Sequence, residues 1–251
     1  MALSERAVTK KKDHCLILSG AFKDAYPEEL LSALLKATLA ANPNLDPAKI
    51  DDVAVGSVLQ GLGGAKAGRM AQLHAGFHPT TSFCTVNRQC SSGLATITMV
   101  ANSIATGAID VAVGAGMESM TRNYGSKAIP TVRWPELRDS DNRDARDCIM
   151  PMGMTSENVA KRYGISRDDQ DAFAANCHVK ASKAQKDGSF DDEIVPVTTT
   201  WLDPGAPEQP GKVIKVDRDD GIRHNASLEG MRKLKPAFKE DGSLTVQRQL
   251  C

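Results

Sequence analysis

The chain reads as an α/β protein on a mainly parallel sheet, and three observations lead there. From Cys15 to Gly116, short apolar runs alternate with segments in which apolar residues recur at helical spacing. Gly20, Pro27, Pro79 and Gly107 fall at the junctions, where turn residues belong. After residue 120 the alternation gives way to a stretch rich in Arg, Asp, Asn and Pro, which reads as a domain inserted on the α/β core.

The elements follow in order. Residues 1–12 are polar and unpatterned and are expected to be a disordered tail. Cys15-Leu16-Ile17-Leu18 reads as a buried strand ending at Gly20. Pro27 suits the first turn of a helix, and Leu30, Leu31, Leu34, Leu35 and Leu39 give its apolar face. Val53, Val55 and Val58, after Asp51-Asp52, indicate a strand. Residues 66–76 indicate a helix, and Ser82 to Val86, bounded by Pro79 and Asn87, a strand. A helix is expected from near Cys90 to Thr106, with Leu94, Ile97, Ala101 and Ile104 on one face and Gly107 as its stop. Ile109 to Val113 reads as a strand closing at Gly114-Ala115-Gly116. Two helices are expected next, one from Thr155 to Gly164. The other opens at Ser166 with Asp169 three residues on, a capping-box pattern, and runs to Gly188. Ile194 to Thr200 reads as a strand, and residues 203–212 as a Pro/Gly loop. The expected domains are a tail at 1–12, a core at 13–120, an inserted loop domain at 121–240 and an atypical C-terminus at 241–251.

Composition narrows the function classes. Of 251 residues, 41% are hydrophobic and 25% charged, as in ordinary globular proteins. Formal net charge is zero, which argues against nucleic acid as the main partner. The basic run Lys10-Lys11-Lys12 reads as part of a solvated tail. No apolar stretch is long enough to span a bilayer, and no secretory leader is visible, so a soluble intracellular chain is expected. The six cysteines, at 15, 84, 90, 148, 177 and 251, form no C-x-x-C pair. That disfavours a zinc site or a disulfide framework and predicts reduced thiols with no metal.

One of those thiols stands in a chemically distinct setting. In Val86-Asn87-Arg88-Gln89-Cys90-Ser91-Ser92-Gly93-Leu94, Cys90 lies between a buried strand and the first turn of a helix. Helix-start N–H groups lack intrahelical partners, and the helix dipole adds partial positive charge that stabilises a thiolate. The same N–H groups can act as an oxyanion hole when sulfur attacks a carbonyl. The residues alone leave two readings open for Cys90, a nucleophile or a buried structural thiol. For the other cysteines the structural reading is the better one. Cys84 falls within a strand, and Cys177 falls on a helix face with Phe173 and Ala181.

The run VNRQCSSGLATI resembles the nucleophile motif of thiolases. Gly116-Met117-Glu118-Ser119-Met120 resembles the family's glycine-rich turn, and PMGMTSENVAKRYGISRDDQDAFA and GIRHNASLEGMRKLKPAFKEDGSLT resemble its loop domain. The form Cys148-Ile149-Met150-Pro151-Met152-Gly153 is most similar to peroxisomal-type 3-ketoacyl-CoA thiolases. The resemblance covers residues 20–245. It implies the N-terminal half of a thiolase-like layered α/β fold, with mixed, mainly parallel sheet and helices, plus an inserted CoA-binding loop domain. It also implies thiolytic cleavage of 3-ketoacyl-CoA by free CoA to acetyl-CoA and a shortened acyl-CoA, with Cys90 carrying the acyl group. Arg223 would then meet the nucleotide end of CoA, and Met152 would border the pantetheine and acyl tunnel. A solvated Arg223 and a core-filling Met152 are the plainer alternatives. Glu118 and Arg88 are expected to be structural, holding the nucleophile loop or a subunit contact, and His224 to have a surface or packing role. CoA and acyl-CoA enter as substrates, no cofactor is covalently bound, and a homodimer or homotetramer is implied. Peroxisome is the implied compartment, with mitochondrion or cytoplasm as alternatives.

The sequence departs from the family's pattern at both ends. Ser19 leads straight into Gly20-Ala21-Phe22-Lys23-Asp24, where the family carries Arg-Thr-Pro. After Thr245 the chain reads Val246-Gln247-Arg248-Gln249-Leu250-Cys251, where the family continues with A-G-N-x-S. The family's Asn-Glu-Ala-Phe motif, its Gly-His-Pro histidine and its C-x-G-x-G cysteine are therefore not in this sequence. His14, His74, His78, His178 and His224 stand in no triad-like context. Such a half is expected to expose a large apolar surface. Two functions compete: an acyltransferase, or a catalytically inactive chain that binds CoA or pairs with a full-length subunit. A condensing enzyme of the ketoacyl synthase group is disfavoured by the loop-domain motifs.

Overall fold

The computed structural model describes residues 20–123, 132–206 and 208–245, together with the backbone of two short strands at 9–10 and 15–16. The rest of the tail expected at 1–12, and the last six residues, lie outside the described residues. In chain order the elements are β1 (Thr9–Lys10), β2 (Cys15–Leu16), α1 (Pro27–Ala41), β3 (Asp52–Gly56), α2 (Ala65–His74), β4 (Ser82–Val86), α3 (Ser92–Ala105) and β5 (Ala112–Gly116). There follow α4 (Met120–Asn123), α5 (Pro135–Arg138), α6 (Arg143–Asp147), α7 (Met152–Tyr163), α8 (Arg167–Lys186), β6 (Val197–Trp201), β7 (Lys212–Val216) and α9 (Leu228–Arg232). The chain forms two compact units. One holds 1–7, 18–128 and 193–218, the other 8–17, 129–192 and 219–251. The stretch 193–218 thus groups with the α/β core, whereas the sequence reading placed it in the loop domain.

The first unit is organised by a three-stranded parallel sheet with β3 at its centre, flanked by β4 and β5. In register, Val53 lies opposite Phe83 and Val113, and Val55 opposite Thr85 and Ala115. Because side chains alternate along a strand, these residues share one face of the sheet. That face packs with Leu31 and Leu35 of α1, Ala71 of α2, and Ile50, Phe77 and Met117 into the main core. α1 forms as its sequence predicts. Pro27 sits in the first turn, Glu29 accepts the Tyr26 N–H at 3.1 Å, and Leu30, Leu31, Leu34 and Leu35 are buried. Burying one such leucine stabilises the fold by about 1.5–3 kcal/mol.

The opposite face carries Ala54, Gly56 and Gly114, and α3 lies on it. A Cβ on Gly56 would stand 2.6 Å from the backbone of Ser92 and Gly93, and one on Gly114 would stand 3.1 Å from Cα of Ile97. The helix backbone therefore rests almost directly on the strands, an approach that only glycine permits. The hydroxyl of Thr96, fully buried, lies 3.0 Å from the carbonyl oxygen of Ala115 and pins α3 to β5. Two expectations are corrected here. The strand expected at 109–113 is Ala112–Gly116, because the glycines read as a turn are the strand surface under α3. The apolar row on α3 is not the packed face, since Leu94, Ile97 and Ile104 are exposed while Ser92, Thr96 and Val100 are buried.

β6 and β7 form an antiparallel hairpin, and Val197 packs with Ala25 and Leu30. The sequence reading expected β6 but not β7. The β1–β2 pair is also antiparallel, so Cys15–Leu16 of the expected strand pairs with Thr9–Lys10 of the expected tail, and residues 17–19 lie outside the described residues.

Apart from the β1–β2 pair, the described elements of the second unit are helices. α7 ends on the left-handed Gly164, and α8 opens with the capping box expected at Ser166 and Asp169. Asp171, fully buried, pairs with Arg167 at 2.8 Å, and the same guanidinium donates to the carbonyls of Met231, Arg232 and Leu234. α9 and the chain beyond it are thereby tied to α8, around a small core of Ala174, Ala175 and Met231. Glu157 on α7 accepts the N–H groups of Ser243 and Leu244 and anchors that segment. No helix among the described residues is long and apolar enough to cross a membrane.

Candidate active site

Cys90 sits at the corner between β4 and α3, two residues before the helix begins, and is exposed. This position is set by the sheet. β4 runs parallel to β3 and ends at Val86, and Gly56 admits the first turn of α3 against the end of β3. Between them the chain reverses through Gln89, which has a left-handed φ of 49°. Such a backbone is uncommon for a residue with a Cβ and needs surrounding bonds to hold it.

The surrounding bonds are present. Gln89 donates its N–H to Oδ1 of Asn87 at 3.0 Å, and Arg88 donates its N–H to Oγ of Ser92 at 2.8 Å. The Ser92 hydroxyl donates to the Gln89 carbonyl at 2.6 Å, and the Ser91 hydroxyl donates to the Arg88 carbonyl at 2.9 Å. The sequence reading assigned no role to Asn87, Gln89, Ser91 or Ser92. The expected free N–H groups at this corner are corrected for two residues. Ser91 donates to the Arg88 carbonyl at 3.2 Å and Ser92 to that of Gln89 at 3.1 Å, because the turn is tight enough to use them itself.

Glu118 bonds to the loop after β3, whereas the expectation was that it would hold the nucleophile loop or a subunit contact. Its carboxylate accepts the N–H of Val58 at 2.9 Å and that of Leu59 at 3.2 Å, fixing the loop after β3 to the end of β5. Nδ2 of Asn87 reaches the Val58 carbonyl of the same loop at 3.4 Å. Arg88 enters the corner through its backbone groups.

The other described thiols differ from Cys90 in setting. Cys84 and Cys177 are partly buried, and Cys148 is exposed with its sulfur 3.2 Å from the Asp144 carbonyl. Burial, and secondarily the charge of Asp52, pushes the Cys84 thiol above its ordinary pKa. The hydrogen bonds of His74, His78 and His224 run to Lys36, Thr80 and Ser182, and His178 accepts the N–H of Arg223. His224 is exposed, with Nδ1 2.7 Å from the Ser182 hydroxyl. No group of three or more His, Cys, Asp or Glu among the described residues could hold a metal ion.

Cys90 lies in the first unit, and the two residues expected to bind CoA lie in the second. Met152 is the first residue of α7 and is 61% exposed, unlike a residue that fills a core. Arg223 is exposed on the loop before α9, and its backbone N–H bonds to Nδ1 of His178 at 3.4 Å.

The fold is an α/β sheet with an exposed cysteine at a strand–helix corner, and comparison with known proteins gives its family. Residues 9–248 match the family model of the thiolase N-terminal domain, and the chain belongs to the thiolase family. It is 45% identical over 237 residues to the peroxisomal 3-ketoacyl-CoA thiolase 1 of Arabidopsis thaliana, covering 92% of this chain and 51% of that protein. To the human peroxisomal 3-ketoacyl-CoA thiolase it is 46% identical over 233 residues, covering 92% and 53%. Among solved structures, the dimeric peroxisomal thiolase of Saccharomyces cerevisiae aligns with a TM-score of 0.76 at 38% identity, over 96% of this chain and 57% of that one. The chain thus spans about half the length of the curated relatives it matches, and its layered α/β fold is that of the thiolases.

Proposed function

We propose that the chain serves as an acyltransferase of the thiolase family, acting on 3-ketoacyl-CoA in the breakdown of fatty acids. In the proposed reaction the Cys90 thiolate attacks the 3-keto carbonyl. The C2–C3 bond then breaks, the shortened acyl group stays on sulfur as a thioester, and acetyl-CoA leaves once its C2 takes a proton. The thiol of a second CoA displaces the acyl group and regenerates Cys90. Arg223 is assigned to the nucleotide end of CoA and Met152 to the pantetheine and acyl tunnel. The reaction uses CoA thioesters and free CoA, without metal or covalently bound cofactor.

The observation that carries this reading is the exposure of Cys90 on a hydrogen-bonded corner at the end of a parallel sheet. A covalent nucleophile must reach its substrate, and a buried thiol could not. The relatives named above are peroxisomal proteins, and peroxisome is the compartment assigned to this chain. Pairing with a second copy is proposed from the dimeric yeast structure.

A second reading, a CoA-binding chain without turnover, is favoured by the hydrogen bonds of His74, His78 and His224, which run to Lys36, Thr80 and Ser182. Acetoacetyl-CoA and CoA supplied to the purified chain test both. Acetyl-CoA production that disappears in Cys90→Ala supports the acyltransferase. CoA binding that weakens in Arg223→Ala, with no production, supports the second reading. Production that persists in Cys90→Ala refutes the assignment of Cys90.

A further inference from the structure

We propose that Ser92 is a positioning residue that holds Gln89 left-handed and thereby aims Cys90; the inference rests on the reading of Cys90 as acyl carrier. A serine at a helix start ordinarily caps it, its oxygen accepting an N–H two or three residues on. Two serines elsewhere in the chain do this. Ser166 accepts from Asp169 at the start of α8, and Ser227 from Gly230 at the start of α9. At α3 the arrangement is reversed. Ser91 is the N-cap residue, yet it makes no side-chain bond to the helix, and its hydroxyl donates back to Arg88.

Ser92 goes further. One hydroxyl, on a residue 4% exposed, accepts the Arg88 N–H at 2.8 Å and donates to the Gln89 carbonyl at 2.6 Å. It therefore ties the Asn87–Arg88 peptide group to the Gln89–Cys90 one, bridging the two-residue stretch that contains the left-handed residue. Because Ser92 is itself wedged against Gly56, the clamp is anchored to the central strand. Asn87 adds a third hold through the Gln89 N–H. Without the clamp, Gln89 relaxes to φ < 0, which residues bearing a Cβ prefer, and the next residue along is Cys90.

The test reads the iodoacetamide alkylation rate of Cys90 as a ratio to that of Cys148, also exposed, in the same full chain. The thermal melting point is followed in parallel. Ser92→Ala is expected to lower the ratio at least about fivefold, the fold-change that one hydrogen bond of ordinary strength represents, since it removes two such bonds. Adding Gln89→Asn is expected to restore most of it, because asparagine tolerates the left-handed region. A role confined to general packing would gain nothing from that second change. If Ser92→Ala unfolds the protein, Cys84 and Cys177 become as reactive as Cys148. Asn87→Ala, at an exposed position, then carries the test and should lower the ratio in the folded chain. An unchanged ratio in the folded variants, or a lowered ratio that Gln89→Asn fails to restore, overturns the inference. Uptake of an acetyl group by wild-type Cys90 is scored separately. Its absence would remove the acyl-carrier reading and leave the positioning result to stand or fall on the ratio.

Discussion

α1 and α3 flank the same parallel sheet and treat it in opposite ways. α1 meets the sheet face bearing Val53, Val55 and Phe83 with the buried side chains of Leu31 and Leu35, a contact made of side-chain volume. α3 meets the face bearing Gly56 and Gly114 with its own backbone, and leaves Leu94, Ile97 and Ile104 exposed. The first contact builds the core. The second fixes the height and angle of a helix start to within the reach of a missing Cβ, and the residues fixed there are those of the Cys90 corner.

If this division is right, the largest loss of stability comes from the α1 side. Leu35 is fully buried, and Leu35→Ala should destabilise by about 2–5 kcal/mol in urea unfolding, through lost burial and the cavity left behind. It should leave the Cys90-to-Cys148 alkylation ratio of the folded protein unchanged. Gly56→Ala should cost about 1–3 kcal/mol, because the new methyl meets backbone that cannot rotate away. Unlike Leu35→Ala it should change the Cys90 alkylation rate, and the comparison breaks if the two variants behave alike.

The next effect is a rate rather than a stability. Cys84 lies on β4, and burial raises its thiol pKa. A raised pKa keeps the neutral thiol present to higher pH, and only the thiolate is alkylated. Alkylation of Cys84 should therefore lag at mildly alkaline pH and go on rising at pH values where an ordinary exposed thiol has levelled off. The smallest effect belongs to the outer face of α3. Leu94 is 67% exposed, and Leu94→Ala should change stability by no more than about 0.5 kcal/mol in the isolated chain.

The same contrast governs what could be read from the sequence. α1, α2, β4 and α8 were legible, because helical periodicity, Pro27 and the Ser166–Asp169 box are local signals. β5 was displaced by three residues at its start because its glycines answer to α3, a helix distant in sequence, while in isolation glycine reads as a turn. β7, five residues in which two Lys interrupt three Val or Ile beside a Pro/Gly loop, offered too little apolar pattern to stand out. At the site, Cys90 was visible from its place between strand and helix, and its thiolase context sharpened it. The direction of the Ser91 and Ser92 hydroxyls was not, since the same residue type caps α8 and α9 in the ordinary way. Only the left-handed φ of Gln89 reveals that the helix start is turned to another task.

Acyl transfer to Cys90 can be measured by peptide mass spectrometry after the chain is incubated with acetoacetyl-CoA and quenched in acid. The proposed chemistry predicts an acetyl group on the peptide containing Cys90, released by neutral hydroxylamine as a thioester is, with Cys84, Cys148 and Cys177 unmodified. An unmodified Cys90, or acetyl groups spread equally over Cys90 and Cys148, would contradict it.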